Sequence, residues 1–188
     1  VAKIAAAEPD FVFNTINGSS NVGFIKAYTE AGLGATKSPI ISVSIAEEEA
    51  PAMGADLTGQ YAAWNYFQSV ESPVNATFIK AFQDKYGTDR PTSDPMEAAY
   101  TSLYLYKAMV EKAESFCVDA VNDAADGVSF EAPEGTVTVN GENHHIAKTA
   151  LIGQINADKQ FDIVYDSGGP IEPDPFLETY DWWDPNAG

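Results

Sequence analysis

Apolar residues change their period along this chain, and the changes mark its elements. In DFVFNTINGSS, Asp10 to Ser20, the run Phe11, Val12, Phe13 breaks into small polar residues before a helical pattern begins. The run predicts a buried strand over 10–16. Ser19 or Ser20 then caps a helix reaching about Ala31, with Val22, Phe24, Ile25 and Tyr28 as its apolar face and Gly32 and Gly34 as its stop. The same grammar returns in PIISVSIAEEE: a strand over 40–44, then a short helix over 46–53 whose Glu47, Glu48 and Glu49 fall in the first turn, where carboxylates suit the macrodipole. Ahead of both, 1–7 reads as a helix ended near Pro9.

Further along, GQYAAWNYF over 59–67 is rich in strand-forming aromatics. Pro73 opens a helix over 74–86 with Phe78, Ile79 and Phe82 inward. Asp94 is the expected N-cap of the longest helix, 96–112, with Glu97 as its capping partner. On that helix Ala99, Tyr100, Leu103, Tyr106, Met109 and Val110 recur at three and four residues, the spacing of a core-facing stripe. A weaker helix over 117–126 follows and ends at Gly127. Alternation then takes over: a strand over 136–139 and a hairpin over 151–166 turning at NADKQ. The proline-rich tail has too little periodicity for an element.

Two β-loop-α units in succession predict an open α/β sheet, in which ligands bind beyond the carboxyl ends of the strands. Asn17 and Ser19 at the first strand end, and Ser44 with Glu47 at the second, carry amide, hydroxyl and carboxylate groups there. An ordinary cap and a capping box, S-x-x-E over 44–47, explain the same residues without a ligand. Trp64 and Tyr66, two apart in one strand, face the same way and form either core or a ligand wall. Asp94 and Met96 open the long helix and are further ligand candidates.

Charge narrows the partners. Ten Lys and Arg against 28 Asp and Glu leave a net charge of −18, which repels nucleic acid and anionic membranes. The single Cys117 permits no internal disulfide, and without a His or Asn partner it reads as a small core residue. No stretch approaches the roughly 20 apolar residues of a membrane span. His144 and His145 are adjacent, so on a strand they point to opposite faces and make no metal pair. No metal, cofactor or catalytic constellation is expected. The chain starts without Met in what reads as a helix already under way, the mark of a piece of something longer.

Taken together, PDFVFNTINGSSN, PIISVSIAEEE, AAWNYFQSVESPVN, DPMEAAYTSLYLYKA, APEGTVTV, NHH and IGQI with FDIVYDS resemble, in order, the urea and short-chain amide receptors of ABC importers. These belong to the branched-chain amino acid binding protein group of type I periplasmic binding proteins. The resemblance implies an α/β fold of two lobes closing on a ligand by hinge motion. It assigns 1–68 to the C-terminal lobe, 69–133 to a helical return into the N-terminal lobe, and 134–188 to the C-terminal lobe with its hairpin and tail. Most of the N-terminal lobe is then missing, and the apolar face of the helix over 96–112 needs that lobe or another chain to cover it. The implied function is non-enzymatic: capture of urea or a small amide outside the cytoplasm, in the periplasm or extracellular space, and delivery to ABC permease subunits at the membrane. A cytosolic amide sensor of the same fold and a branched-chain amino acid receptor are the alternatives. A neutral planar ligand with one carbonyl and N–H donors suits hydroxyls, amides and carboxylates rather than an Arg clamp. By resemblance, Asn17 and Ser44 fall where branched-chain binders hold the amino acid backbone.

Overall fold

The computed structural model describes residues 1–175 together with Leu177, Thr179, Tyr180 and Trp182. A helix α1 (Ala2–Ala7) leads into β1 (Val12–Asn14), α2 (Ser20–Glu30) and β2 (Ile40–Ser42). A short 3-10 helix (Ala50–Met53) and β3 (Tyr61–Trp64) complete the first half. Two helices follow, α3 (Pro73–Tyr86) and α4 (Asp94–Ala113), then the short α5 (Val118–Asp123). The chain then makes β4 (Ser129–Ala132), β5 (Gly135–Thr138), β6 (Lys148–Ile155) and β7 (Phe161–Ile171).

Five strands form one sheet in the order β1-β2-β3-β6-β7. β1, β2 and β3 run parallel, so their carboxyl ends line up on one edge. Val12 pairs with Ile40 and Asn14 with Ser42, which sets Asn14 and Ser42 side by side where the strands stop. β6 returns antiparallel to β3, and β7 antiparallel to β6, so the expected hairpin extends the sheet. One face is closed by Ile25 and Tyr28 of α2, Leu33, Met53 and Leu57, packed on Ile40, Ala62, Leu151 and Ile155. Phe67 and Phe161 join this core with ring centroids 4.8 Å apart. A second core lies apart from it: Leu105 of α4 against Ala125, Val128, Ala132, Val137 and Val139. The 65–72 link joins the two. Tyr66 is fully buried there, its hydroxyl 2.7 Å from Asn75 Oδ1 and 2.8 Å from Thr92 Oγ1.

Local chemistry accounts for the helix starts. Ser72 Oγ accepts the Asn75 N–H at 3.0 Å with Pro73 at the first position of α3, a standard N-cap pairing. α4 begins earlier than expected. Ser93 takes the N-cap position, Asp94 is the first helical residue, and Glu97 does not close a box with it. The Asp94 carboxylate instead accepts the N–H groups of Asn65 and Tyr66, both at 3.0 Å, so it ties α4 to the end of β3.

Other expectations are corrected. The helix over 46–53 is reduced to turns and a 3-10 helix over Ala50–Met53, with the Glu49 carboxylate accepting the Ala46 N–H at 2.7 Å. The 59–67 strand shortens to Tyr61–Trp64, since Tyr66 and Phe67 turn into the link and the core. The 117–126 helix shortens to Val118–Asp123, and Cys117 is exposed at its N-cap rather than buried. On α4 the buried stripe is Asp94, Glu97, Thr101 and Leu105. Leu103 and Tyr106, expected to face a core, are 65% and 46% exposed. Nothing among the described residues covers that side, and no helix there is long and apolar enough to cross a membrane.

Gly153 shows how closely the sheet meets the link. A Cβ at this position would stand 2.7 Å from Phe67 Cζ and 2.9 Å from Phe161 Cβ. Gly153→Ala is therefore expected to cost about 1–3 kcal/mol through overpacking, read as a lower midpoint in urea or thermal denaturation. An unchanged midpoint would contradict this packing.

Candidate functional site

Four buried polar side chains hold the ends of β1 and β2 together. Asn14 Nδ2 donates to Asn21 Oδ1 at 2.9 Å, while Asn14 Oδ1 accepts the Ile16 N–H at 3.0 Å. Asn21 Nδ2 donates to the Ile16 carbonyl at 2.7 Å and lies 3.2 Å from Ser44 Oγ. Ser44 Oγ donates to the same carbonyl, and Ser42 Oγ accepts the Ser44 N–H at 3.2 Å. A buried amide or hydroxyl costs free energy unless it is hydrogen-bonded, and here each one is. The backbone N–H and C=O of Ile16 are thus both fixed by side chains, immediately before Asn17.

The sequence candidates divide across this arrangement. Asn17 is exposed beside the held peptide, in the turn formed by Gly18 at φ +60°. Ser19 is exposed at the N-cap of α2, and its side chain makes no capping bond. Ser44 turns inward, only 7% exposed, with its hydroxyl taken up by the Ile16 carbonyl, so the expectation of a free hydroxyl is corrected. Glu47 is corrected likewise. It is 1% exposed, forms no capping box, and accepts the Gln68 N–H at 2.7 Å through Oε1. Trp64 is half-buried, its Nε1–H donating to the Ile45 carbonyl at 3.0 Å, which joins the ends of β2 and β3. It lines an open depression of about 380 Å³ with Val43, Asn65 and Tyr165. Asp94 is buried in the α4–β3 tie, and Met96 is half-buried in the first turn of α4. The structure therefore places Asn17 and Ser44 on neighbouring loops but turns only Asn17 outward.

Sequence reading missed the acid wall beside these loops. Ser93 Oγ donates to Glu48 Oε1 at 2.8 Å. Lys148 Nζ lies 3.0 Å from Glu134 Oε1 and 3.8 Å from Glu97 Oε2, and Thr101 donates to Glu97 Oε1 at 2.6 Å. Burial pushes the Glu47 carboxyl up to about 8, opposed by the Gln68 N–H and helped by Glu48 and Asp94. Glu134 is pushed up to about 7 by burial and by Glu97, against the pull of Lys148. Burial also raises Asp94 and Glu97. The cluster gathers residues far apart in sequence, and only the charged type of Glu97 and Glu134 at helix and turn positions could have signalled it. His144 and His145 sit elsewhere, exposed in the 140–145 turn beside an apolar pocket of about 490 Å³ floored by Leu105, Met109 and Val139.

Comparison with known proteins adds the family. The model of the periplasmic binding protein domain matches residues 1–181. A limonene hydroxylase of Geobacillus stearothermophilus is 31% identical over 63% of this chain and 22% of its own length. A Leu/Ile/Val-binding protein homologue of Brucella melitensis is 26% identical over 74% of this chain and 36% of its own. The solute-binding protein of an ABC transporter from Rhodopseudomonas palustris HaA2, solved with p-hydroxybenzoic acid, superposes with a TM-score of 0.73 at 25% identity. That match covers 86% of this chain and 45% of the other. The chain thus spans less than half the length of each of these three relatives.

The raised carboxyls fix a pH dependence. Glu47 and Glu134 bind protons more tightly folded than unfolded, where a Glu titrates near ~4.3. Their contribution to stability is complete below that value and is lost as pH rises through about 7 for Glu134 and about 8 for Glu47. Melting temperature is expected to fall from about pH 4 to about pH 8 and to level off above that. Glu47→Gln keeps an acceptor for Gln68 and should flatten the upper part of that fall. Equal slopes for the two proteins would refute the assignment to Glu47.

Proposed function

Because the chain belongs to the periplasmic binding protein domain family and has the type I fold of that family, we propose that it is part of a solute receptor of an ABC importer. The receptor acts outside the cytoplasm, in the periplasm or at the cell exterior, and passes its ligand to the permease subunits. Its action is binding without turnover. The ligand is a small neutral amide, urea being the simplest, held in a cleft at the carboxyl ends of β1–β3.

The observation that carries this reading is chemical. Asn17 and Ser19 offer neutral side-chain groups at the strand ends, while the neighbouring wall is built from Glu47, Glu48, Asp94 and Glu97. Its cation, Lys148, lies against Glu134 and Glu97. A carboxylate ligand would lose water beside a buried wall whose cation is already engaged, which is costly. An uncharged amide meets no such penalty, and its N–H groups find acceptors. In this reading Asn17, Ser19, Trp64 and Met96 border the ligand, and Asp94 acts from the edge of the wall. Ser44 and Glu47 act from behind them.

The two cores fit a two-lobed receptor. We assign 1–68 and the β6–β7 strands to the ligand-holding lobe, and 69–133 to a return into the other lobe. Val137, Val139 and Ile146 pack on the second core, which moves the division in the last segment toward Lys148. Within that assignment 134–188 is the C-terminal segment; 183–188, Phe176, Glu178 and Asp181 lie outside the described residues. The exposed side of α4, with Leu103 and Tyr106, is where the remainder of the N-terminal lobe packs.

Isothermal titration calorimetry of the protein in its complete natural length, with urea, acetamide, leucine and 4-hydroxybenzoate, tests the proposal. Saturable heat with urea or acetamide and none with 4-hydroxybenzoate is expected. Heat with leucine or 4-hydroxybenzoate alone would replace the ligand class, and heat with none of the four would remove the receptor reading.

A further inference from the structure

The loop that carries Asn17 owes its shape to groups that no ligand reaches. Asn14 and Asn21 are 2% and 0% exposed, and Ser42 is 1% exposed. Asn14 and Asn21, together with Ser44, hydrogen-bond the backbone of one residue, Ile16. The Ile16 N–H goes to Asn14 Oδ1, and the Ile16 carbonyl takes both Asn21 Nδ2 and Ser44 Oγ. Each partner comes from a different element: Asn14 from the last position of β1, Asn21 from the first turn of α2, and Ser44 from the loop after β2. The Asn21 backbone N–H also bonds the Gly18 carbonyl at 3.0 Å, closing the turn on its other side. Asn17 therefore projects from a loop fixed at both ends.

Resting on the receptor reading above, we propose that Asn14, Asn21 and Ser44 are positioning residues, which set ligand affinity by holding the Ile16–Gly18 loop in its binding shape without touching the ligand. The physical ground is preorganisation. A loop already ordered in the free receptor loses less conformational entropy when the ligand arrives, and binding is tighter by that amount. The donor geometry is also specific. An isosteric Asp at position 21 keeps Oδ1 but loses the Nδ2 donor, and leaves the Ile16 carbonyl with the Ser44 hydroxyl alone. Ala at position 44 removes the complementary donor and leaves Asn21 in place.

The test uses Ser44→Ala, Ser44→Thr and Asn21→Asp in the protein of complete natural length. It reads amide hydrogen exchange by mass spectrometry on peptides covering 12–24 and 148–155, together with urea titration. Ser44→Ala and Asn21→Asp are expected to speed exchange at 16–21 at least 10-fold, leave β6 unchanged, and weaken urea binding at least 10-fold. Ser44→Thr retains the hydroxyl and is expected to restore both. Unchanged exchange in the loop, or an equal rise in β6, would overturn the proposal, because a network that only stabilises the fold moves both segments together. Unchanged urea affinity with a loosened loop would overturn it as well. If the wild-type protein binds no urea while the loop still responds locally and Thr still rescues it, the clamp is supported and the ligand assignment alone fails.

Discussion

Saturation of buried hydrogen-bonding groups at the ends of β1 and β2 is the constraint on which the rest of the site depends. Two amides and two hydroxyls are removed from water there, and leaving any one unpaired would cost on the order of 1–3 kcal/mol. In the observed arrangement every one of them is paired, and it fixes three things together: where β1 stops, where α2 starts, and how close the loop after β2 lies to the loop after β1. From there the edge continues through backbone and side-chain bonds. Trp64 reaches the Ile45 carbonyl, and Asp94 takes the two N–H groups that follow β3. Three strand ends and one helix start are joined by hydrogen bonds into a single rim.

The acid wall is the electrostatic complement of that rim. Carboxylates as deeply buried as Glu47 and Glu97 persist because part of their charge is removed by proton uptake and part is balanced by Lys148. Proton uptake ties the stability of this edge to pH near neutrality. The wall's cation, Lys148, is itself engaged by Glu134 and Glu97.

Much of this was legible in the sequence, and the failures have physical causes. The β-loop-α units were visible because their apolar runs end in Asn, Gly and Ser, so β1, α2 and β2 appear within a few residues of their expected bounds. Asn17 and Ser44 were placed on adjacent loops from parallel pairing alone. Their orientations were not, because one residue of loop geometry decides whether a hydroxyl faces solvent or the preceding carbonyl. The capping box at 44–47 failed because the Ser44 N–H goes to Ser42 Oγ, the Ser44 hydroxyl to the Ile16 carbonyl, and Glu47 Oε1 takes the Gln68 N–H. Asp94 was assigned to its own helix, but its carboxylate bonds to residues 28 and 29 positions away. Long-range pairings of this kind, like the meeting of Glu97, Glu134 and Lys148, leave no local period. On α4, spacing located an apolar stripe correctly and misread which side the described residues bury.

A crystal structure of the complete protein grown with urea tests the central claim most directly. The account predicts urea at the carboxyl ends of β1–β3, within hydrogen-bonding distance of Asn17, with the Ile16 peptide still held by Asn14, Asn21 and Ser44. Urea seated away from that edge, or an Ile16 carbonyl released from Ser44 to contact the ligand itself, would contradict it.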